Sequence, residues 1–216
     1  MRLLVGISGS TGSIYGIRLL QVLGRVPEVE THLILSAPGK RTILEETELS
    51  VKDVERLADR VYDNRDIGAA PASGSFKTSG MIIMPCSIRT ASALATSTGD
   101  SLLCRAGDVT LKEGRPLIVG VREAPLHVGH LRRLTALAEM GAIIFPPMPA
   151  FYHRPTTLDD IVNHTVGRVL DRLGIPQDLV REWTGTRMPP STTPSKLKSP
   201  NNPAACRVTV VASMSM

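Results

Sequence analysis

Short runs of β-favouring apolar residues alternate with stretches of helical pattern along most of this chain. "RLLVGIS" (2–8) leads into "GSTGSIYGIRLLQVLGR", and "ETHLILS" (30–36) into "APGKRTILEETE". "MIIMPCS" (81–87) leads into "IRTASALATSTG", and "RPLIVGVRE" (115–123) into "LHVGHLRRLTALAEMG". "AIIFPPM" (142–148) is followed by a loop and then by "TTLDDIVNHTVGRVLDRLG" (156–174). The strand-like runs are continuous rather than alternating, the pattern of parallel strands covered on both faces. Repetition of such βα units predicts an α/β protein, a doubly wound parallel sheet in three α/β/α layers. Ligands of such a sheet bind at the carboxyl ends of its strands.

The segment 61–80, with "PASGSFKTSG", is too polar and glycine-rich for an element and reads as an irregular insertion. After Trp183 the chain turns to Pro, Ser, Thr and Lys, which predicts one domain over 1–183 and an extended or disordered tail over 184–216. A body of that size buries about 70% of its unfolded surface and needs neither disulfides nor metal to fold. No apolar run reaches the roughly 18 residues of a membrane span. The N-terminus has no signal-peptide pattern, so a cytoplasmic protein is expected. Cys86, Cys104 and Cys206 show neither C-x-x-C nor ligand spacing and read as reduced thiols. The net charge of +5 raises the question of nucleic acid, but aromatics are only 3% and the basic residues are scattered, which points instead to a small anionic ligand.

The candidate functional groups fall just after strands. The loop "GISGSTGSIYG" (6–16) does not fit G-x-G-x-x-G, so it is no dinucleotide fingerprint. Gly9, Ser10, Thr11, Gly12 and Ser13 at a helix start offer N–H groups and hydroxyls to an anion or a polar ring edge, or else make a capped glycine turn. Ser36 ends the second strand, and Glu46 follows in a charged run that is ordinarily solvent-facing. In "MPCSIRT" (84–90), Ser87 and Thr90 can cap a helix or face a ligand, and Cys86 reads as a small core residue. Arg122 and Glu123 end the fourth run, either as a structural pair or with the arginine on a phosphate or flavin edge. In "DSLLCRAGDVTLKEGR" (100–115), Arg105, Asp108 and Lys112 share a helix face, as surface charge or as cations awaiting an anion. "PAFYHRP" (149–155) carries Tyr152, His153 and Arg154, and Arg168 lies among apolar neighbours of the last helix. His127 and His130 have no third ligand in sequence, and no H-E-x-x-H or G-x-S-x-G pattern occurs.

"GISGSTGSIYG", "MPCSIRT", "CRAGDVTLKEGRPLIVGVREAP", "GAIIFPPMPAFYHRP" and "LGIPQDL", in this order, resemble the flavin prenyltransferase family, the small partner of phenolic and polyprenyl-hydroxybenzoate decarboxylases. The resemblance runs from about residue 2 to Trp183. It implies a flavodoxin-like fold that binds FMN and joins a dimethylallyl group from dimethylallyl phosphate to N5 and C6 of the flavin. Prenylated FMN would then pass to a separate decarboxylase; no metal, nucleic acid or membrane is implied. The assembly would be a homo-oligomer, a dodecamer, with sites at subunit junctions. By motif, Gly9, Ser10, Thr11, Ser36, Ser87, Ile88, Arg89, Thr90 and Arg122 would contact FMN. Arg105, Lys112, Tyr152 and Arg168 would hold the allylic phosphate, partly across subunits. Glu46 and Glu123 would be active-site acids, and Trp183 an aromatic close by. Thr11 stands where family members often carry serine. Two other readings are an FMN-dependent cysteinyl decarboxylase on the same fold, whose Pro-x-Met-Asn motif is absent here, and a non-catalytic flavin carrier.

Overall fold

A computed structural model describes residues 1–180, 182 and 185. Trp183 and the segment 186–216 lie outside the described residues. The elements run β1 (Arg2–Ile7), α1 (Ser13–Leu23), β2 (Glu30–Leu35), α2 (Ala37–Glu46), α3 (Val51–Glu55) and β3 (Arg60–Asp63). After a single 3-10 turn (Ala70–Ala72) come β4 (Met81–Cys86), α4 (Ile88–Ala95), α5 (Leu102–Lys112), β5 (Leu117–Val121), α6 (Val128–Glu139), β6 (Ile143–Ile144) and α7 (Leu158–Asp171).

The six strands form one sheet in the order β3-β2-β1-β4-β5-β6, with every pairing parallel. Their side chains alternate between two cores. Leu3, Val5, Ile7, Leu33, Leu35, Ile82 and Met84 face one side, where α1, α2, α3 and α7 pack with Ile17, Ile43, Val54 and Val166. Leu4, Ile34, Met81, Ile83, Leu117 and Val119 face the other, against α4, α5 and α6 with Leu94, Leu103 and Leu137. Both faces are therefore buried, which is why the strands read as unbroken apolar runs. The order reverses between β1 and β4, so a crevice opens at their carboxyl ends.

Three elements differ from expectation. The insertion 61–80 opens with a strand: β3 pairs with β2 from His32↔Arg60 to Leu35↔Asp63. Four residues flanked by charges carry no usable period, and an edge strand tolerates those charges because one side meets water. α3 begins at a capping box, in which Ser50 Oγ accepts from the Asp53 N–H at 3.2 Å and the Asp53 carboxylate accepts from the Ser50 N–H at 3.0 Å. The strand expected over 142–148 shrinks to Ile143–Ile144, since Pro146 and Pro147 have no N–H for a ladder.

Two glycines allow the β1–α1 loop to close. Gly12 has φ +98°, a left-handed conformation that a side chain would strain. A Cβ on Gly9 would lie 2.2 Å from Pro38 Cβ, so the absence of a side chain lets the first turn of α2 abut the loop.

Candidate active site

The β1–α1 loop organises the crevice. Ser8 at the end of β1 is buried; its Oγ donates to the Pro85 carbonyl at 3.1 Å and accepts from the Ser87 N–H at 2.7 Å, tying β1 to β4. Glu46, the last residue of α2, reaches over the start of α1. Its carboxylate accepts from the Gly12 N–H at 3.0 Å, the Ser13 N–H at 2.8 Å and Ser13 Oγ at 2.8 Å. Burial works to raise the Glu46 pKa, but hydrogen bonds from Thr11, Ser13 and Gly12 outweigh it and hold the carboxyl below its usual range. The anion at this helix start is thus supplied by the chain itself, and the N–H groups of residues 12 and 13 are already committed. The Thr11 hydroxyl is one of the groups holding Glu46.

Ser10 behaves differently. Its Oγ is buried and has no hydrogen-bond partner among the described residues. A buried hydroxyl left unpaired costs about 1–3 kcal/mol, which makes Ser10 a candidate for a partner on a bound group. We expect Ser10→Ala to leave the melting temperature of the flavin-free protein unchanged or higher while weakening FMN about five- to tenfold in a fluorescence titration. An apo protein destabilised by the substitution with FMN affinity intact would remove Ser10 from the site.

Beside the loop lies a cavity of about 350 Å³ lined by Gly9, Ser36, Ser87, Arg89 and Thr90, all five marked in the sequence. Ser36 caps α2 by accepting from the Gly39 N–H at 3.0 Å. Ser87 caps α4 by accepting from the Thr90 N–H at 3.3 Å and touches Thr90 Oγ1 at 3.0 Å. Both hydroxyls therefore cap a helix and line the cavity at once. Asn64, Ser101 and Cys104 also line it and were not marked. The Asn64 carbonyl and Oδ1 accept from the N–H groups of Leu102 and Leu103, at 2.8 and 2.9 Å, so Asn64 fixes the start of α5. Ser101 could have been found as an N-cap preceding a helical run, but nothing in the irregular segment around Asn64 foretells its reach. Three helix N-termini, those of α2, α4 and α5, thus converge on the cavity with the Arg89 side chain, which has no ion-pair partner among the described residues. The three helix starts and Arg89 favour a phosphate, against the single Asp100 carboxylate that also lines the cavity. Ile88 turns away and packs on the core beneath α4. Burial drives the Cys86 thiol far above its ordinary pKa, so it is inert.

Arg122 follows β5, its N–H donating to the Cys86 carbonyl at 3.0 Å. Its guanidinium pairs with no carboxylate among the described residues; Glu123 instead accepts from the Ala124 N–H at 3.2 Å. The structural pair considered from sequence does not form. His127 is the N-cap of α6, Nδ1 accepting from the Gly129 N–H at 3.0 Å.

The other four marked residues fall into two groups in one chain, Arg105 and Lys112 on α5 and Tyr152 and Arg168 against or on α7. Arg105 pairs with Asp108 at 2.9 Å and donates to the Ala72 carbonyl at 3.3 Å, while Lys112 pairs with Glu113. Arg168 pairs with Asp171 at 3.1 Å, and Tyr152 Oη meets His164 Nε2 at 2.8 Å. α5 belongs to one face of the sheet and α7 to the other. Arg105 and Lys112 are also separated by two helical turns, about 10 Å along α5.

The crevice lies at the switch point of a doubly wound parallel sheet, and the Flavoprotein family model, matching residues 1–170, makes the chain a flavoprotein. "Flavin prenyltransferase UbiX" of Escherichia coli (strain K12) is 56% identical over 186 residues, covering 85% of this chain and 98% of that protein. The chain belongs to the flavin prenyltransferase UbiX family. Among solved structures, a dodecameric FMN-dependent UbiX-like decarboxylase from Escherichia coli O157:H7 superposes with a TM-score of 0.84 at 48% identity, over 86% of this chain and all of that one. AnUbiX (PadA1), in complex with FMN and dimethylallyl pyrophosphate, has a TM-score of 0.84 at 40% identity, over 86% of this chain and 98% of that one. No helix among the described residues is long and apolar enough to cross a membrane.

Proposed function

We propose that this flavin prenyltransferase transfers the dimethylallyl group of dimethylallyl phosphate to N5 and C6 of reduced FMN and hands the prenylated flavin to a separate decarboxylase. The observation that carries the reading is the cavity at the β1/β4 switch point, where helix starts and Arg89 favour a phosphate; next to the lining residue Gly9, the Ser10 hydroxyl has no partner among the described residues. AnUbiX holds both FMN and an allylic pyrophosphate, which supports the two substrate classes. The reduced flavin supplies the nucleophilic positions to be alkylated.

The chain's own part is binding and charge control. As the allylic C–O bond breaks, negative charge grows on the departing phosphate, and preorganised cations stabilise that charge more in the transition state than in the substrate. Arg105, Lys112, Tyr152 and Arg168 are the groups for this task. Because α5 and α7 cover opposite faces of the sheet, they converge only when two copies of the chain meet, which favours a homo-oligomer like the dodecameric relative. Glu46, held ionised, is able to accept or orient a proton but not to deliver one at neutral pH. The released phosphate is itself a base for the proton lost on ring closure. Arg122, with no carboxylate partner among the described residues, is placed at the end of β5 to face the flavin.

The test is anaerobic incubation with reduced FMN and dimethylallyl phosphate or, separately, dimethylallyl pyrophosphate, followed by flavin mass spectrometry. The expected result is a flavin heavier by one five-carbon unit with the monophosphate. A flavin mass unchanged with both overturns the reading; turnover with the pyrophosphate alone corrects the substrate.

A further inference from the structure

Beyond α7 the chain turns back, and residues 177–180 seat against the helix turn that carries Arg168. A Cβ on Gly167 would lie 2.5 Å from Val180 Cγ2 and 2.9 Å from Gln177 Oε1, so the approach is close. Gln177 occupies the middle of this contact. Its Oε1 accepts from the Leu179 and Val180 N–H groups at 2.7 and 2.8 Å. Its Nε2 donates to the Val180 carbonyl at 3.1 Å and to Asp171 Oδ1 at 3.0 Å. The other Asp171 oxygen, Oδ2, accepts from Arg168 Nη1 at 3.1 Å. The direction of every bond in this relay is fixed. Two backbone N–H groups can only donate, so the amide oxygen must face them and the NH2 must face the carboxylate and the carbonyl.

We infer that Gln177 is a positioning residue for prenyl transfer, locking the Asp171 carboxylate so that Arg168 presents its guanidinium to the departing phosphate. This rests on the reading of Arg168 given above and adds the residue that orients it. The ion pair alone is a weak hold, because the Arg168 and Asp171 side chains are 50% and 36% exposed and solvent screens such a pair. A carboxylate free to turn about its last bond would let the guanidinium follow it. With Oδ1 taken by a donor that is itself anchored to the backbone of Leu179 and Val180, Oδ2 keeps one direction. Arg168 is then held at Nη1, while its Nε and Nη2 groups make no hydrogen bond among the described residues. That leaves open the forked edge that grips a phosphate through two parallel bonds. An arginine ordered before the ligand arrives also loses less side-chain freedom on binding.

The experiment uses the full-length protein with Gln177→Leu, which removes all four bonds, and Gln177→Glu, whose ionised carboxylate still accepts from both N–H groups but cannot donate to Asp171. Each is made alone and in an Asp171→Ala background, beside Arg168→Ala. FMN affinity, kcat and KM for dimethylallyl phosphate are measured, with the Ki of inorganic phosphate, which reads the clamp without the chemistry. Both Gln177 variants are expected to raise the phosphate Ki about five- to tenfold and to lower kcat/KM to match, the scale of one lost hydrogen bond, with FMN affinity within about twofold. In the Asp171→Ala background, replacing Gln177 is expected to change nothing further. A Ki unchanged in either variant, a Gln177 effect of full size without Asp171, or an equal loss of FMN affinity overturns the inference. A Ki unchanged in Arg168→Ala overturns the role of Arg168 and the inference with it. Absence of prenylated flavin from the wild-type protein overturns the proposed function instead, so the two failures are distinguishable.

Discussion

Lys112→Ala and Arg168→Ala are each expected to lower prenyl transfer by about a hundredfold or more while leaving FMN affinity within about twofold. The division follows from position. FMN is assigned to the crevice at the carboxyl ends of β1 and β4, and neither residue lines its cavity. Both cations are instead assigned to the leaving phosphate, whose charge is greatest in the transition state. The stronger form of the test mixes the two inactive proteins. α5 carries Lys112 on one face of the sheet and α7 carries Arg168 on the other, so on the proposed function each site takes the two side chains from different copies. Dissociating and reassociating an equal mixture should therefore regenerate intact sites, about a quarter of the total for random assortment in a symmetric assembly. Activity that stays at the level of the separate variants, with reassembly shown by size, would place both cations in one subunit's site or outside it. Loss of flavin from both variants would contradict the division of labour.

Glu46→Gln is the second large effect. The carboxylate presents two acceptor oxygens to the Gly12 N–H, the Ser13 N–H and Ser13 Oγ. An amide keeps one oxygen and turns its NH2 toward groups that are themselves donors. The start of α1 should loosen, and the proton-accepting group near the flavin is gone. We expect the single-turnover rate to fall about a hundredfold, the scale of a lost general base, with FMN affinity less affected. An unchanged single-turnover rate removes Glu46 from the chemistry. The pH dependence has a definite sign. The folded-state pKa is depressed, so the stabilisation from Glu46 is fully present above the ordinary glutamate value and is lost as pH falls through the folded one. Thermal melts of the wild type should drop over that acidic window more than those of Glu46→Gln.

The legibility of this chain divides along physical lines. β1, β2, β4 and β5 were readable because burial on both faces leaves mostly apolar residues in them, the exceptions Arg2, Glu30, Thr31 and His32 falling at the starts of β1 and β2. β3 was not, since Arg60 and Asp63 sit at an edge where solvent removes the constraint. The hydroxyls of Ser36 and Ser87 were marked because a strand end followed by a helix start is a local event, within three or four residues. Asn64 and the closure of Glu46 onto Gly12 were not, because each contact spans more than thirty residues and leaves no local period. The Arg105–Asp108 pairing is visible at i,i+3 spacing, but the same spacing serves surface charge and anion binding alike. The placement of α5 and α7 on opposite sides of the sheet, which local spacing does not reveal, is what supports the proposal that a second copy brings Arg105 and Arg168 to one ligand.

The converging starts of α2, α4 and α5 have a consequence for which flavin is chosen. On the proposed function, that corner takes the charged ester end of the flavin rather than its ring. Riboflavin, with the same ring but a neutral chain end, would leave the corner's dipoles and Arg89 facing water and would be passed over. The phosphoryl group would then act as an admission tag, confining alkylation to flavin that has already been phosphorylated.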